Sequence, residues 1–329
     1  MIRRLLPWVA GVGVATISLV FLAWLIVAGQ IEERALAWAE MRRAEGYTVT
    51  WTSLDVGGFP SRFDLDFAGP RLAKDGWAAE APSLRAQFLP WRPGRVDLAA
   101  PRLALAGPEM AGDLEQVAAE VRIEGGQATQ VAIDGIAATG RFRGADQGRA
   151  NRARLVVDSF SPGTTDWKAE SLAGTVSLWG VRPAPPYAAQ MLFPDPFDLA
   201  VTGAIKGPIV DLAGWRDAGG TLELNQLALV WGPMKLDGSA TLALDGQMRP
   251  LGAGTARLQG LNPVLDRLVA KGQIRAQDAT IGKMVLGLLA QPAADGGSEV
   301  SVPITAQDGK LSLGPVPVAT LRPLVESRP

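Results

Sequence analysis

GGFPSRFDLDF, Gly57 to Phe67, decides the fold class. Phe63, Leu65 and Phe67 alternate with Asp64 and Asp66, the period-2 pattern of a strand with one dry face and one wet face. Pro60 stands at its entrance, where no ladder hydrogen bond needs a donor. Upstream, Tyr47-Thr48-Val49-Thr50-Trp51 is a cluster of β-formers. Downstream the same grammar recurs. Leu84, Ala86 and Phe88 share a parity, Arg95 to Ala99 and Arg102 to Ala106 flank Ala100-Pro101, and Val121 and Ile123 alternate with charges before Gly125-Gly126. Val131 with Ile133, Leu155 to Val157, Leu172 to Trp179, Leu199 to Ile205, Leu222 to Trp231 and Ser239 to Leu244 read as further short strands. Gly219-Gly220, Asp237-Gly238, Asp245-Gly246 and Asp308-Gly309 read as turns between them. One-sided strands with tight turns predict a mainly β body, an antiparallel, twisted or curled sheet with few helices. At period 2 an inward and an outward apolar face read alike, so an open trough and a filled core both fit.

Two helices interrupt the strands. Asn262-Pro263 reads as an N-cap and first helical residue, Val264, Leu265 and Leu268 as the apolar face, and Gly272 as the stop. The second runs from Ala279 to Ala290, with Ile281, Met284, Val285, Leu288 and Leu289 on its apolar side and Pro292 beyond its end.

The other decisive segment precedes the sheet. Leu5 to Ala28 is a run of 24 residues without a charge. As a helix it reaches about 36 Å, enough to cross a hydrocarbon core of about 30 Å. Arg3 and Arg4 precede it, Trp8 and Trp24 sit near its ends, and Val27 falls in the bulky stretch Trp24-Leu25-Ile26-Val27, where a signal peptidase would need small residues. The expectation is a signal anchor over 1–28 with its N-terminus in the cytoplasm and the body in the periplasm of a Gram-negative cell. Ile31, Ala35, Trp38 and Ala39 share a face of a helical neck over 29–46. The body divides into β-rich halves, 47–182 and 199–329, joined by the Pro-rich stretch 183–198.

Composition removes several kinds of chemistry. With no Cys and no His, the chain cannot build a Cys/His zinc site, a Ser-His-Asp triad, a Cys-His dyad or an iron–sulfur cluster. The net charge is −1; beyond the apolar run 30 basic and 33 acidic residues remain, without the basic excess of a nucleic-acid binder. The acid pairs Asp64/Asp66 and Asp195/Asp198 read as a solvated face and turn chemistry. Asp295-Gly-Gly-Ser-Glu299 does not match an EF-hand loop. Neither GxxxxGK[ST] nor GxSxG occurs. No catalytic residue, cofactor or metal is assigned. Of the ten Trp, Trp51, Trp77, Trp91, Trp167, Trp179, Trp215 and Trp231 lie in the body, as core and sheet-edge residues or as the rim of an apolar groove.

With the N-terminal run, GGFPSRFDLDF, LALVWGPMKLDGSATLALDGQMRPLGAGTARLQG (Leu227 to Gly260) and VPITAQDGKLSLGPVPV (Val302 to Val318) resemble a bacterial family catalogued as a domain of unknown function. Its members are membrane-anchored envelope proteins; Trp231-Gly232-Pro233 and QDGKLSLGP are the more specific segments. More distantly the pattern is similar to AsmA-like envelope proteins, which have an N-terminal anchor and a long sheet curled into an apolar trough. That resemblance implies a non-enzymatic role in envelope homeostasis or in binding and transfer of a lipid such as a phospholipid. This chain is short beside the large members, too short to bridge the periplasm alone. The alternative is a scaffold that holds envelope proteins at the inner membrane.

Overall fold

The computed structural model describes residues 2–125, 127–160, 170–185, 188, 191–208, 211–293 and 296–324, with side chains from Phe21 onward except at 127, 159, 160, 316 and 318. It is mainly β. Nineteen strands form among the described residues, and every described ladder is antiparallel. The chain folds as two compact units, residues 1–128 with 140–145, and 129–139 with 146–329. The Pro-rich stretch 183–198 lies inside the second.

The first unit begins with one continuous helix, α1 (Ile2–Ala44). The expected neck is therefore the end of the same helix. Eight strands follow: β1 (Thr48–Thr50), β2 (Ser53–Gly57), β3 (Phe63–Ala68), β4 (Arg71–Lys74), β5 (Trp77–Glu80), β6 (Ser83–Phe88), β7 (Arg95–Ala106) and β8 (Met110–Glu124). β2, β3, β6 and the first half of β7 pair in that order, while the second half of β7 pairs with β5, then β4, then β1. The ladder changes partner between Ala99 and Ala104, and Pro101, which has no N–H to donate, sits at the changeover. Opposite it on β8, Gln116 takes a positive φ of 46° without shifting the β7–β8 register.

The dry face of β3 carries the core of this unit. Phe63 and Leu65 are buried, and Ala28 of α1 is buried against them, with Trp24, Ile31, Leu54, Val56, Phe67 and Phe88 around the cluster. Trp24 lies parallel to Phe63, ring centroids 5.5 Å apart, and Phe63 stacks in turn on Phe88 at 5.2 Å. The indole N–H of Trp24 donates to the Arg62 carbonyl at 3.2 Å. Phe59 meets Phe21 and Trp24 edge-on. Further along α1, Ala39 is fully buried and Arg43 donates twice to the Val49 carbonyl, tying the helix end to β1. Trp38 is not on the buried side with Ile31, Ala35 and Ala39: it is exposed, with the Arg42 guanidinium over its ring. The wet face behaves as the alternation requires, with Asp66 in a two-point ion pair with Arg85 and Asp113 with Arg102. Asp64 shares that parity but is buried, held by Arg62 at 2.9 Å.

The remaining strands are β9 (Gln127–Phe142), β10 (Ala145–Phe160), β11 (Glu170–Pro183), β12 (Phe197–Lys206), β13 (Thr221–Trp231), β14 (Met234–Leu244), β15 (Pro250–Gln259), β16 (Gln291–Pro292), β17 (Ser298–Gln307), β18 (Lys310–Leu313) and β19 (Val316–Thr320). Three further helices have both ends among the described residues: α2 (Leu212–Asp217), α3 (Leu261–Ala270) and α4 (Ala276–Leu289). Strands β10 to β15, then β17, β18 and β19, pair as consecutive neighbours, a meander broken only where α3 and α4 leave it between β15 and β17. Several strands run 14 to 16 residues, longer than their apolar patterns indicate. Asp237-Gly238 is not a turn but lies within β14; the chain reverses at Gly232-Pro233, between the paired Trp231 and Met234. Asp308-Gly309 and Asp245-Gly246 do turn the chain. Helix α3 starts before Asn262, with Gly260 as its cap, so Pro263 is its third residue, where the missing N–H is still harmless. Gly272 ends it at φ 68°, its N–H on the Val269 carbonyl.

Phe63→Ala removes a buried ring that touches both α1 and β6. It should cost about 3–4 kcal/mol of unfolding free energy, read by urea denaturation of the full chain. Amide exchange over residues 21–31 should rise with it; a loss confined to the strands would show that α1 does not depend on this ring.

Candidate functional site, an uncovered apolar sheet face

The register of the second unit sorts its side chains by face. Leu172, Val176 and Leu178 of β11 stand beside Phe197, Leu199, Val201 and Ile205 of β12. These neighbour Leu222, Leu224, Leu227, Leu229 and Trp231 of β13, which neighbour Met234, Leu236, Ala240 and Leu242 of β14. The row continues through Ala256 and Leu258 of β15 and Val300, Val302 and Ile304 of β17 to Leu311 and Leu313 of β18. At every one of these paired positions the residue is uncharged. The opposite face holds Thr175, Thr202, Glu223, Asp237, Thr241, Thr255, Arg257, Glu299 and Ser301. Cross-strand ion pairs lie on it, Lys206 with Glu223 at 2.9 Å and Arg257 with Asp237. Exposed pairs of this kind contribute about 0–1 kcal/mol each, so they mark the wet face more than they hold it.

The apolar face is not closed by a second layer among the described residues. Of its members only Ala256, Val300 and Ala306 are buried; no Leu, Ile or Trp of strands β10 to β18 reaches that class, and Val176 and Leu155 are 43% and 38% exposed. Cover comes only at the ends. Helix α3 touches β14 and α4 touches β17. Phe193, itself buried, meets Trp231 edge-on at 5.3 Å. Small residues run through the middle of the face: Gly174 is in line with Gly203, and Ala240 with Gly254. At Gly203 and Gly254 the adjoining strand approaches so closely that a Cβ would lie 2.4 Å from the Glu223 carbonyl and 2.2 Å from that of Ser239.

At one end the face deepens into a cavity of about 320 Å³. Its floor is Ile205, Leu222, Leu242, Leu244 and Pro250, and α2 closes one side with Leu212 and Trp215; Leu324 reaches in from the C-terminal segment. Almost all of the lining is apolar. Trp215 turns its one polar atom away, its indole N–H donating to the Lys206 carbonyl at 2.8 Å. Gly220 makes room for that ring, since a Cβ there would lie 2.3 Å from the indole nitrogen. Asp211, the one acid in the lining, caps α2 by accepting from the Gly214 N–H at 2.7 Å. The cavity thus offers dispersion contact and exclusion of water, the chemistry that holds an alkyl chain. Among the described residues no three acids gather as a metal-binding group.

The residues singled out in sequence fall as follows. Arg3, Arg4, Leu5 and Trp8 lie outside the described side chains. Among the described residues no helix is long and apolar enough to cross a membrane. Trp24 docks on Phe63, and Val27 is 41% exposed beside exposed Phe21, Leu22, Leu25 and Ile26. Asp195 lies in the loop before β12, where its backbone carbonyl accepts from the Trp231 indole, whereas Asp198 is not in a turn but in β12, its carboxylate accepting from the Gly180 N–H of β11. Asp295 and Trp167 lie outside the described residues. Trp77 and Trp91 are exposed, Trp51 packs on Phe67, and Trp215 lines the cavity. Helix α2 has no apolar period long enough to announce it; Asp211 three residues before Gly214 was its only cap signal.

A family model covering residues 24–322 matches the chain, and its first matched residue is the Trp24 that stacks on Phe63. The chain belongs to DUF2125. That family is described as uncharacterized proteins conserved in bacteria. No curated protein matches the chain.

The turn that borders the cavity is built around a carboxylate. The Asp245 carboxylate accepts from the backbone N–H and side chain of Arg249 and from the Gln247 N–H, which together hold it below the usual carboxylate range. A depressed carboxylate adds stability above the unfolded value, about pH 3.9, and loses it as pH falls through the folded one. The stability difference between the native chain and Asp245→Asn should therefore be constant from neutral pH down to about pH 4 and vanish in stronger acid. Urea unfolding across this range measures it; a difference that persists in strong acid would assign the effect to packing.

Proposed function

We propose that the chain is an inner-membrane-anchored protein of the bacterial envelope whose second unit binds lipid acyl chains on its apolar sheet face, without catalysis. The observation that carries this reading is the face itself. It extends from β11 to β18 without a charge at the paired positions named above, and none of its Leu, Ile or Trp side chains is buried among the described residues. Apolar surface of that extent in water costs about 25 cal/mol per Å², and contiguous patches beyond a few hundred Å² mark binding surfaces. An alkyl chain satisfies such a face because it asks for no hydrogen bond in return.

The anchor belongs to the same reading. Leu5 to Ala23, 19 residues before the docked Trp24, extends about 28 Å as a helix, close to the thickness of a hydrocarbon core. Arg3 and Arg4 favour a cytoplasmic N-terminus, so the body stands in the periplasm. The AsmA-like resemblance points the same way, toward envelope lipid handling.

The test uses the full chain reconstituted in vesicles that contain a phospholipid with a diazirine on its acyl chain. Adducts are expected on peptides that contain Leu222 and Leu242. Leu222→Glu places a carboxylate on the face and should lower the yield about tenfold, with the circular dichroism of the sheet unchanged. Adducts confined to residues 1–30 would sink the proposal, because they would record the bilayer contact of α1 alone.

A further inference from the structure

Helix α4 carries an apolar stripe that nothing described in its own unit covers. Its inner side is accounted for. Ala279 is buried, Gly282 faces Leu265 of α3 closely enough that a Cβ would lie 3.1 Å from it, and Leu286 lines a small cavity together with Leu258 and Val300 of the sheet. The outer side is Ile281, Met284, Val285, Leu288 and Leu289, at spacings i, i+3, i+4, i+7 and i+8. These are the residues whose sequence pattern predicts a buried face. Instead Met284 is 66% exposed and Leu288 81%. The hairpin of α3 and α4 is thus apolar on both sides, one against the sheet and one toward solvent.

Charge decides what fits the outer side. Residues 261–290 hold Arg267, Lys271, Arg275 and Lys283 against Asp266 and Asp278, a net +2 in a chain whose total is −1. Asp266 pairs with Lys283 and Asp278 with Arg275. Arg267 and Lys271 donate to the carbonyls of Leu192 and Met191, which leaves their charge unneutralised by any acid among the described residues. The stripe contains only aliphatic side chains and Met, which ask for no hydrogen bond from what covers them. Fourteen residues of helix reach about 21 Å, too short to span a bilayer but sufficient to lie in its interface. We infer that α4 rests on the surface of an anionic phospholipid bilayer, its stripe among the upper acyl segments and the cations of the hairpin at the headgroups. This contact is independent of whether the sheet face binds lipid.

The chain has no Cys, so one introduced thiol labels a single site. The full chain with Leu288→Cys carrying the environment-sensitive fluorophore NBD is reconstituted in vesicles of equal parts phosphatidylglycerol and phosphatidylcholine. Thr280→Cys, at an exposed polar position of the same helix outside the stripe, is the control. The Leu288 label is expected to emit blue-shifted light, to be quenched by spin-labelled lipid, and to be about fivefold less accessible to aqueous iodide than the Thr280 label. In phosphatidylcholine alone, or with Lys271→Gln and Arg275→Gln, that protection should fall about fivefold. Equal iodide access at the two positions in both lipids would overturn the inference. So would protection that is independent of lipid charge and disappears as protein is diluted in the bilayer, since that identifies a second copy as the cover. Diazirine adducts on the sheet face are read in a separate experiment, so the failure of either proposal leaves the other standing.

Discussion

A sheet whose strands alternate dry and wet residues has an unmet demand on one face only. Its polar side is satisfied by water and by cross-strand ion pairs; its apolar side needs a cover. The structure follows from how each unit meets that demand. In the first unit α1 supplies the cover, and Trp24, Ala28 and Ile31 close over Phe63 and Leu65. In the second unit no described element does so along the middle of the face. Helices α2, α3 and α4 reach its ends and stop.

Small residues in the middle of that face explain why a cover is hard to build from the chain itself. Large side chains in place of Gly203, Gly238 and Gly254 would collide with the adjoining strand, as the close backbone approach at these positions requires. A rigid second layer packs best against regular knobs, whereas a mixture of Leu, Val, Ala and Gly leaves an uneven floor. A flexible alkyl chain adapts to such a floor at little cost in complementarity. The cavity beneath α2 is the deepest part of it, and Trp215 is held there by its bond to Lys206 so that its hydrocarbon edge, not its N–H, lines the space.

The strand grammar was legible because alternation at Phe63, Leu65 and Phe67, or at Leu222 and Leu224, reports the pleat directly. The hairpin at Asp308-Gly309 was legible for the same local reason. Asp237-Gly238 misled because the dipeptide has a second use: Asp237 pairs with Arg257 on the wet face, while Gly238 lies opposite Leu227 on the dry one. The true reversal at Gly232-Pro233 carries no Asn or Asp to announce it. The cavity was not legible, since its lining is scattered from Ile205 to Leu324 in sequence and only the register of four strands brings those apolar residues together.

The stripe of α4 shows where pattern and burial part company. Periodicity identifies an apolar side; it does not identify what meets it. Ile281, Met284, Val285, Leu288 and Leu289 have the spacing of a core face, yet the side turned inward is that of Ala279, Gly282 and Leu286, about a third of a turn away. The helix is apolar over most of its circumference, and one side suffices to hold it to α3 and β17. The other side therefore adds nothing to the fold of this unit and exposes surface that water disfavours. Such surface calls for an apolar cover from outside the unit, and the net positive charge of the hairpin is what favours an anionic bilayer as that cover.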